Sequence, residues 1–231
     1  MSARAEDPTS FDRSRRSRLT RHDLGRFAGE TLFDRVARAL CEAECLPRRE
    51  LYESWEVARR ARRRFRGGRV VDLACGHGLL AHLMLLLDDS SPSAIGVDVR
   101  VPESAAPVAE ALARAWPRLA GRVRIEERPL SSMELAADDV VVSAHACGEL
   151  TDRVLDLAIA ARARVVVLPC CHALGASDLG GLGGWLDGPL AIDATRVARL
   201  RAHGYAVITQ RVAGGITAKD RLILAAPGGA G

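Results

Sequence analysis

The stretch Val70-Val71-Asp72-Leu73-Ala74-Cys75-Gly76-His77-Gly78, running on into Leu79-Leu80-Ala81, decides how the chain folds. It opens as a short apolar run, passes through a Gly-x-Gly turn and continues as an apolar helical segment. A strand that turns through glycines into a helix lets a ligand approach bare backbone beside the unpaired N–H groups of the helix end. Gly76, Gly78 and Ala81 also satisfy the general dinucleotide spacing, a weak signal alone.

On the C-terminal side, apolar runs at 70–74, 94–99, 123–127, 140–144, 165–169, 205–211 and 221–225 alternate with helical stretches at 79–87, 103–115, 149–161 and 191–202. Several runs are almost unbroken Val, Ile and Leu, as expected where helices cover both faces of a parallel sheet. The alternation predicts an α/β fold built on a seven-stranded, doubly wound sheet. No helical stretch separates the last two runs, so a terminal antiparallel hairpin is expected. On the N-terminal side, Leu32, Phe33, Val36, Ala39 and Leu40 recur at helical spacing up to Pro47, and a second helix is expected over 48–65, ended by Gly67-Gly68. Residues 1–21 are polar and arginine-rich and read as a disordered basic tail. The expected organisation is therefore a tail over 1–21, an N-terminal helical extension over 22–67 and one ligand-binding domain over 68–227.

The 231 residues are 48% hydrophobic and 27% charged, the balance of a globular chain. No apolar run reaches the ~18 residues that span a bilayer, and the N-terminus has no apolar core of a signal peptide. Six scattered cysteines do not make a disulfide scaffold, so a cytoplasmic protein that does not engage membranes is expected. Residues 1–69 hold 18 arginines against 11 acidic residues, a local net charge of +7, whereas the remainder is net acidic. Lys219 is the single lysine, so the position of the positive charge is informative rather than the choice of arginine. Arg59, Arg60, Arg62, Arg63, Arg64, Arg66 and Arg69 cluster at the end of the second helix. They suit RNA phosphates as a partner, or simply a solvated helix C-terminus favoured by the macrodipole.

Asp98 ends the second strand, 22 residues after Gly76, where a carboxylate accepts hydrogen bonds from ribose hydroxyls. Asp72 separates two ligand classes. A pyrophosphate would be repelled by a carboxylate beside the turn, whereas S-adenosylmethionine brings a sulfonium and an ammonium that it attracts. The plainer role for Asp72 is as a partner of the helix N-terminus.

The segments VVDLACGHG and IGVDVR resemble the first two motifs of the class I, Rossmann-like S-adenosylmethionine-dependent methyltransferases. The resemblance implies S-adenosylmethionine as cofactor. It places Asp72, Ala74, Cys75, Gly76 and Gly78 at its methionine part, Asp98 at the ribose, Val99 against adenine and Ser131 near the adenine amino group.

The fourth strand leads into His145-Ala146-Cys147-Gly148-Glu149-Leu150-Thr151-Asp152 and the fifth into Cys170-Cys171-His172, both at the carboxyl edge of the sheet, where open α/β sheets bind ligands. HACGELTD with VVVLPCCH is similar to a methyltransferase subfamily that resembles the eukaryotic tRNA ribose 2′-O-methyltransferase, although the cysteine-rich RNA-binding extension of that enzyme has no counterpart here. The resemblance implies RNA, perhaps tRNA, as substrate. His145, Cys147, Cys171 and His172 are the candidate catalytic residues. Either histidine could accept a proton near neutrality. Cys147 with Cys170 or Cys171 could act as a nucleophile pair. Zinc held by His145, Cys147, Cys171 and His172 lacks any supporting ligand spacing, so no metal is expected. Cys41 and Cys45 share a helix face and read as core. A small-molecule or protein methyltransferase, a non-catalytic cofactor-binding module and an NAD-dependent oxidoreductase are the competing functions. The glycine-rich stretch 174–188 is either a plain connection or a lid anchored by Trp185, and 217–221 reads as a solvated hairpin end.

Overall fold

A computed structural model describes residues 11–212 and 215–228. Seven strands, β1 (Val70–Leu73), β2 (Ala94–Asp98), β3 (Val123–Glu127), β4 (Val140–Ser143), β5 (Arg164–Val167), β6 (Tyr205–Arg211) and β7 (Arg221–Pro227), form one sheet in the order β3-β2-β1-β4-β5-β7-β6. The first five are parallel, and β7 runs antiparallel to both β5 and β6. The doubly wound α/β sheet and its antiparallel hairpin are thus as expected.

Side-chain alternation sorts the strands into two cores. Val70, Val140, Val142, Val166, Leu222 and Leu224 face one side, which is covered by helices α1 (Leu32–Ala43), α2 (Arg48–Arg64), α3 (Leu79–Leu87) and α4 (Ala105–Ala115). Val71, Leu73, Val141, Val165, Val167 and Ile223 face the other, covered by α5 (Glu149–Ala161) and α6 (Gly188–Ala202). Helix α3 is apolar almost all round because it is buried all round, from Leu79 to Leu86.

The organisation before β1 corrects the sequence reading. Residues 1–10 of the expected tail lie outside the described residues, but from Phe11 onward the chain is packed rather than disordered. Phe11 meets Phe27 and Tyr52 edge-on, Leu19 is fully buried, and Leu19 N–H donates to the Leu46 carbonyl at 2.9 Å. Phe11 and Leu19 dock this segment together with backbone hydrogen bonds from Arg48 N to Ser17 O and from Arg49 N to Arg15 O, which the polar average concealed. Nor is 22–67 an appendage. Leu51, Val57, Ala58 and Ala61 of α2 are fully buried in the same core as α3 and the sheet.

Candidate functional site

The turn after β1 holds three residues in the left-handed region: Ala74 at φ 59°, Gly76 at 51° and Gly78 at 71°. Ala74 adopts this conformation despite its Cβ, a strain that proteins concentrate at functional turns. The two glycines differ in what surrounds them. A Cβ on Gly78 would run into Ile125 Cδ1, whereas one on Gly76 would meet nothing within 4 Å. Gly78 therefore serves packing of the turn on β3, and Gly76 opens onto free space. The Asp98 carboxylate braces the turn, accepting from Gly76 N at 2.9 Å and Arg100 N at 3.2 Å. Cys75 points inward beside Gly96, and burial pushes its thiol well above the usual range, so only its backbone is available to a ligand.

Asp72 shares the sheet face of Val70 and lies beneath α3, 1% exposed. One of its oxygens accepts from Ala81 N at 3.2 Å. That is the helix-end role, so Asp72 is not a freely exposed pocket floor. Burial raises its pKa well above the ordinary carboxylate range against the opposing pull of the Ala81 N–H, and the nearby Glu50 and Asp98 raise it further. Glu50 was not legible as a site residue. It reaches over from the first turn of α2 and meets His77 Nδ1 at 2.9 Å through Oε1 and 2.8 Å through Oε2. Three carboxylates, Glu50, Asp72 and Asp98, thus gather around the turn. Beyond β2, Val99 is 65% exposed and lines a largely apolar cavity of about 360 Å³ with Leu130, Ser131, Leu150 and Leu157.

At the ends of β4 and β5, Ser143 Oγ, His145 Nε2 and His172 Nδ1 are buried without a hydrogen-bond partner. The other nitrogen of His172, Nε2, lies 2.9 Å from Asp193 Oδ1 on α6. Asp193 is held in turn by Arg196 at 3.2 Å and Arg221 at 2.6 Å, and the fully buried Arg196 also binds Asp152 and the Gly148 carbonyl. Asp193 escaped the sequence reading because nothing local says that α6 reaches the end of β5. The Sγ atoms of Cys147, Cys170 and Cys171 lie within 4.8 Å of one another. Burial raises the thiol pKa of Cys147 and, more strongly, that of Cys170, so neither is a ready thiolate nucleophile.

The arginine cluster is largely turned to internal partners. Arg59 and Arg60 pair with Glu56, Arg66 with Asp88 and Arg69 with Asp139. Arg62 is buried and donates to Met84 O, Phe65 O and Ser91 Oγ beside Asp88. Arg63 and Arg64 are exposed. In the glycine-rich stretch, Trp185 is 87% exposed and anchors nothing. The 217–221 turn is tied down by the Arg211–Asp220 ion pair. No described helix is long and apolar enough to cross a membrane.

The residues fit S-adenosylmethionine. Gly76 leaves open space where a Cβ would stand, the nearby Glu50 and Asp98 carboxylates match a cation, and the largely apolar cavity at Val99 matches a purine. Comparison with known proteins agrees. The chain is similar to solved structures including an O-methyltransferase family protein from Burkholderia thailandensis, at 18% identity, a TM-score of 0.53, and coverage of 92% of this chain and 64% of the other. It is also similar to the mitomycin 7-O-methyltransferase MmcR, at 16% identity, a TM-score of 0.50, and coverage of 88% and 60%. A magnesium protoporphyrin IX methyltransferase from Synechocystis, solved with S-adenosylhomocysteine bound, aligns at 18% identity with a TM-score of 0.47, covering 89% and 93%. At such identities the first two likenesses establish the fold alone, and the chain spans less than two thirds of the length of each. No curated protein matches the sequence. A family model described as a methyltransferase domain matches residues 50–177, beginning at Glu50 of α2 and taking in the glycine turn and both cysteine-bearing turns. The chain belongs to this methyltransferase-domain family.

Proposed function

We propose that this protein transfers a methyl group from S-adenosylmethionine to an acceptor that enters at the carboxyl ends of β4 and β5, with His172 receiving the acceptor's proton. The observation that carries this reading is the set of orphaned buried atoms, Ser143 Oγ, His145 Nε2 and His172 Nδ1, at that edge. Buried polar groups without partners call for a ligand or water that completes them.

S-adenosylmethionine supplies an electrophilic methyl on a sulfonium. The backbone at Ala74, Cys75, Gly76 and Gly78 holds its methionine part within the field of Glu50 and Asp98, and Asp72, whose ionised form burial disfavours, braces the turn from beneath α3. Asp98 accepts from the ribose, and Val99 and Ser131 line the adenine cavity. His172 Nε2 is fixed on Asp193, which two arginines hold in place, so Nδ1 is left to take up a proton. Cys147 and Cys171 border the entrance, and His145 contributes a second orphaned ring nitrogen. Alignment of acceptor and donor supplies most of the rate.

RNA is the acceptor class proposed. Its support is the net positive charge of residues 1–69, of which Arg63 and Arg64 stand exposed on α2. Because most neighbouring arginines are engaged internally, a small-molecule acceptor is the second reading. Radiolabelled methyl transfer to RNA, protein and metabolite fractions separates them. His172→Gln should leave S-adenosylhomocysteine affinity unchanged and lower turnover by about 10²–10⁴-fold. Unchanged turnover would remove His172 from the reaction. Intact cofactor binding with no labelled fraction would favour a non-catalytic binding module.

A further inference from the structure

Methyl transfer as proposed leaves the three thiols at the site entrance without a task. Cys147 lies in the turn after β4, and Cys170 and Cys171 lie in the turn after β5. The two turns are clamped together, since Gly148 N–H donates to the Cys171 carbonyl at 2.9 Å and Leu168 N–H to the Ser143 carbonyl at 2.9 Å. Arg196 fixes the first turn through the Gly148 carbonyl at 2.9 Å, and Thr151 Oγ1 donates to the carbonyl of Ala146. Each thiol is therefore carried on braced backbone.

Cys147 Sγ and Cys170 Sγ are 2.9 Å apart, and all three sulfurs fall within 4.8 Å of one another. A tetrahedral zinc ion with Zn–S bonds of about 2.3 Å places its sulfurs about 3.8 Å apart, a separation within this range. The histidines stand apart from this group. His172 is committed through Nε2 to Asp193, and among the described residues the ligand atoms that converge are the three sulfurs, not the mixed histidine–cysteine set considered from sequence. Cys147 and Cys171 are exposed, so the cluster of thiols opens to solvent.

We propose that Cys147, Cys170 and Cys171 form a binding site for one thiophilic metal ion of the Zn²⁺ class, with its fourth coordination position open at the acceptor entrance. Three soft ligands select zinc, cadmium or copper(I) over magnesium and calcium. Three protein ligands with one open position is also the arrangement of zinc sites that take water or substrate, rather than of closed structural sites. The inference is independent of the proton-accepting role given to His172.

The test is titration of the reduced full-length protein with Cd²⁺ alone, and with Zn²⁺ in competition with a chromophoric chelator. Cd²⁺ should give a sulfur-to-metal charge-transfer band that saturates at one equivalent, and either ion should protect the three thiols from alkylation. Removing a partner of a metal ligand already costs 10–100-fold in affinity, so Cys147→Ser, Cys170→Ser and Cys171→Ser should each weaken binding by about a hundredfold or more. Cys45→Ser on α1's flank should leave it unchanged. Exposed Cys171 gives a variant that tests ligation without disturbing a core, and unchanged S-adenosylhomocysteine binding verifies its fold. Wild-type affinity in Cys171→Ser, absence of the charge-transfer band, or a Cys147–Cys170 disulfide in protein purified under reducing conditions would each overturn the proposal.

Discussion

Alanine at Gly76 and at Gly78 should damage the protein in different ways. Both glycines have positive φ, 51° and 71°, where an L-residue costs about 1–2 kcal/mol. The stiffer unfolded chain offsets about 0.4–1 kcal/mol of that, leaving a net loss of roughly 1 kcal/mol at either position. At Gly78 the new methyl also drives into Ile125 Cδ1, and overpacking adds about 1–3 kcal/mol. At Gly76 it meets no protein atom within 4 Å. It stands instead where the cofactor must come close, so the overpacking falls on the complex. The same 1–3 kcal/mol then appears as roughly five- to 150-fold weaker S-adenosylhomocysteine binding. Urea midpoints at constant m-value report the first effect and titration calorimetry the second. Gly78→Ala should be the less stable variant and Gly76→Ala the poorer binder. Should Gly76→Ala bind within about threefold of wild type, the open space beside that residue is not the cofactor's path and the placement of the methionine part fails.

Other outcomes follow from the same geometry. Arg62→Met removes a buried cation that serves Met84 O, Phe65 O, Ser91 Oγ and Asp88, and should cost about 3 kcal/mol by denaturation, against less than about 0.5 for exposed Arg63→Met. Equal losses would refute the structural role of Arg62. Asp98→Ala should abolish cofactor binding, because it removes both the proposed ribose acceptor and the brace on Gly76 N, whereas His145→Ala should spare binding and lower turnover. A parallel loss of binding in the two variants would contradict the division of roles. Burial raises the Asp72 pKa above its unfolded value, so the contribution of this residue to stability is full below about pH 4 and is lost as pH rises through the folded pKa. Asp72→Asn should therefore gain stability relative to wild type as pH rises from that point, measured as the difference in midpoint. A pH-independent difference would mean that Asp72 ionises normally.

The sheet was legible because β1, β4 and β5 are nearly pure Val and Leu runs bounded by turn residues, while β2 and the more polar β3 were read from their place in the alternation with helices. The last two runs, with no helix between them, gave the hairpin. The glycine turn and Asp98 stood out because their roles depend on backbone and spacing, which are local. What was hidden depends on where long side chains go. Arg62 and Arg63 are indistinguishable as letters, yet one is 3% exposed inside the protein and the other lies in solvent. Glu50 and Asp193 join the site through helices whose packing positions no local pattern encodes. Phe11 and Leu19 were lost in an average over charged neighbours, and the backbone pairing of 15–19 with 46–49 that helps hold them leaves no mark in the sequence.

The bond between Glu50 and His77 has a practical corollary for anyone trimming this protein. A fragment cut at Gly67, where composition suggests a natural boundary, would lose the roof of its own nucleotide turn along with the helix that shields α3. His77 would be freed of its carboxylate, and a greasy stripe meant for Leu51, Val57 and Ala61 would be bared to water. A piece that keeps this turn intact therefore has to include α2, so the part that resembles an accessory is a wall of the house.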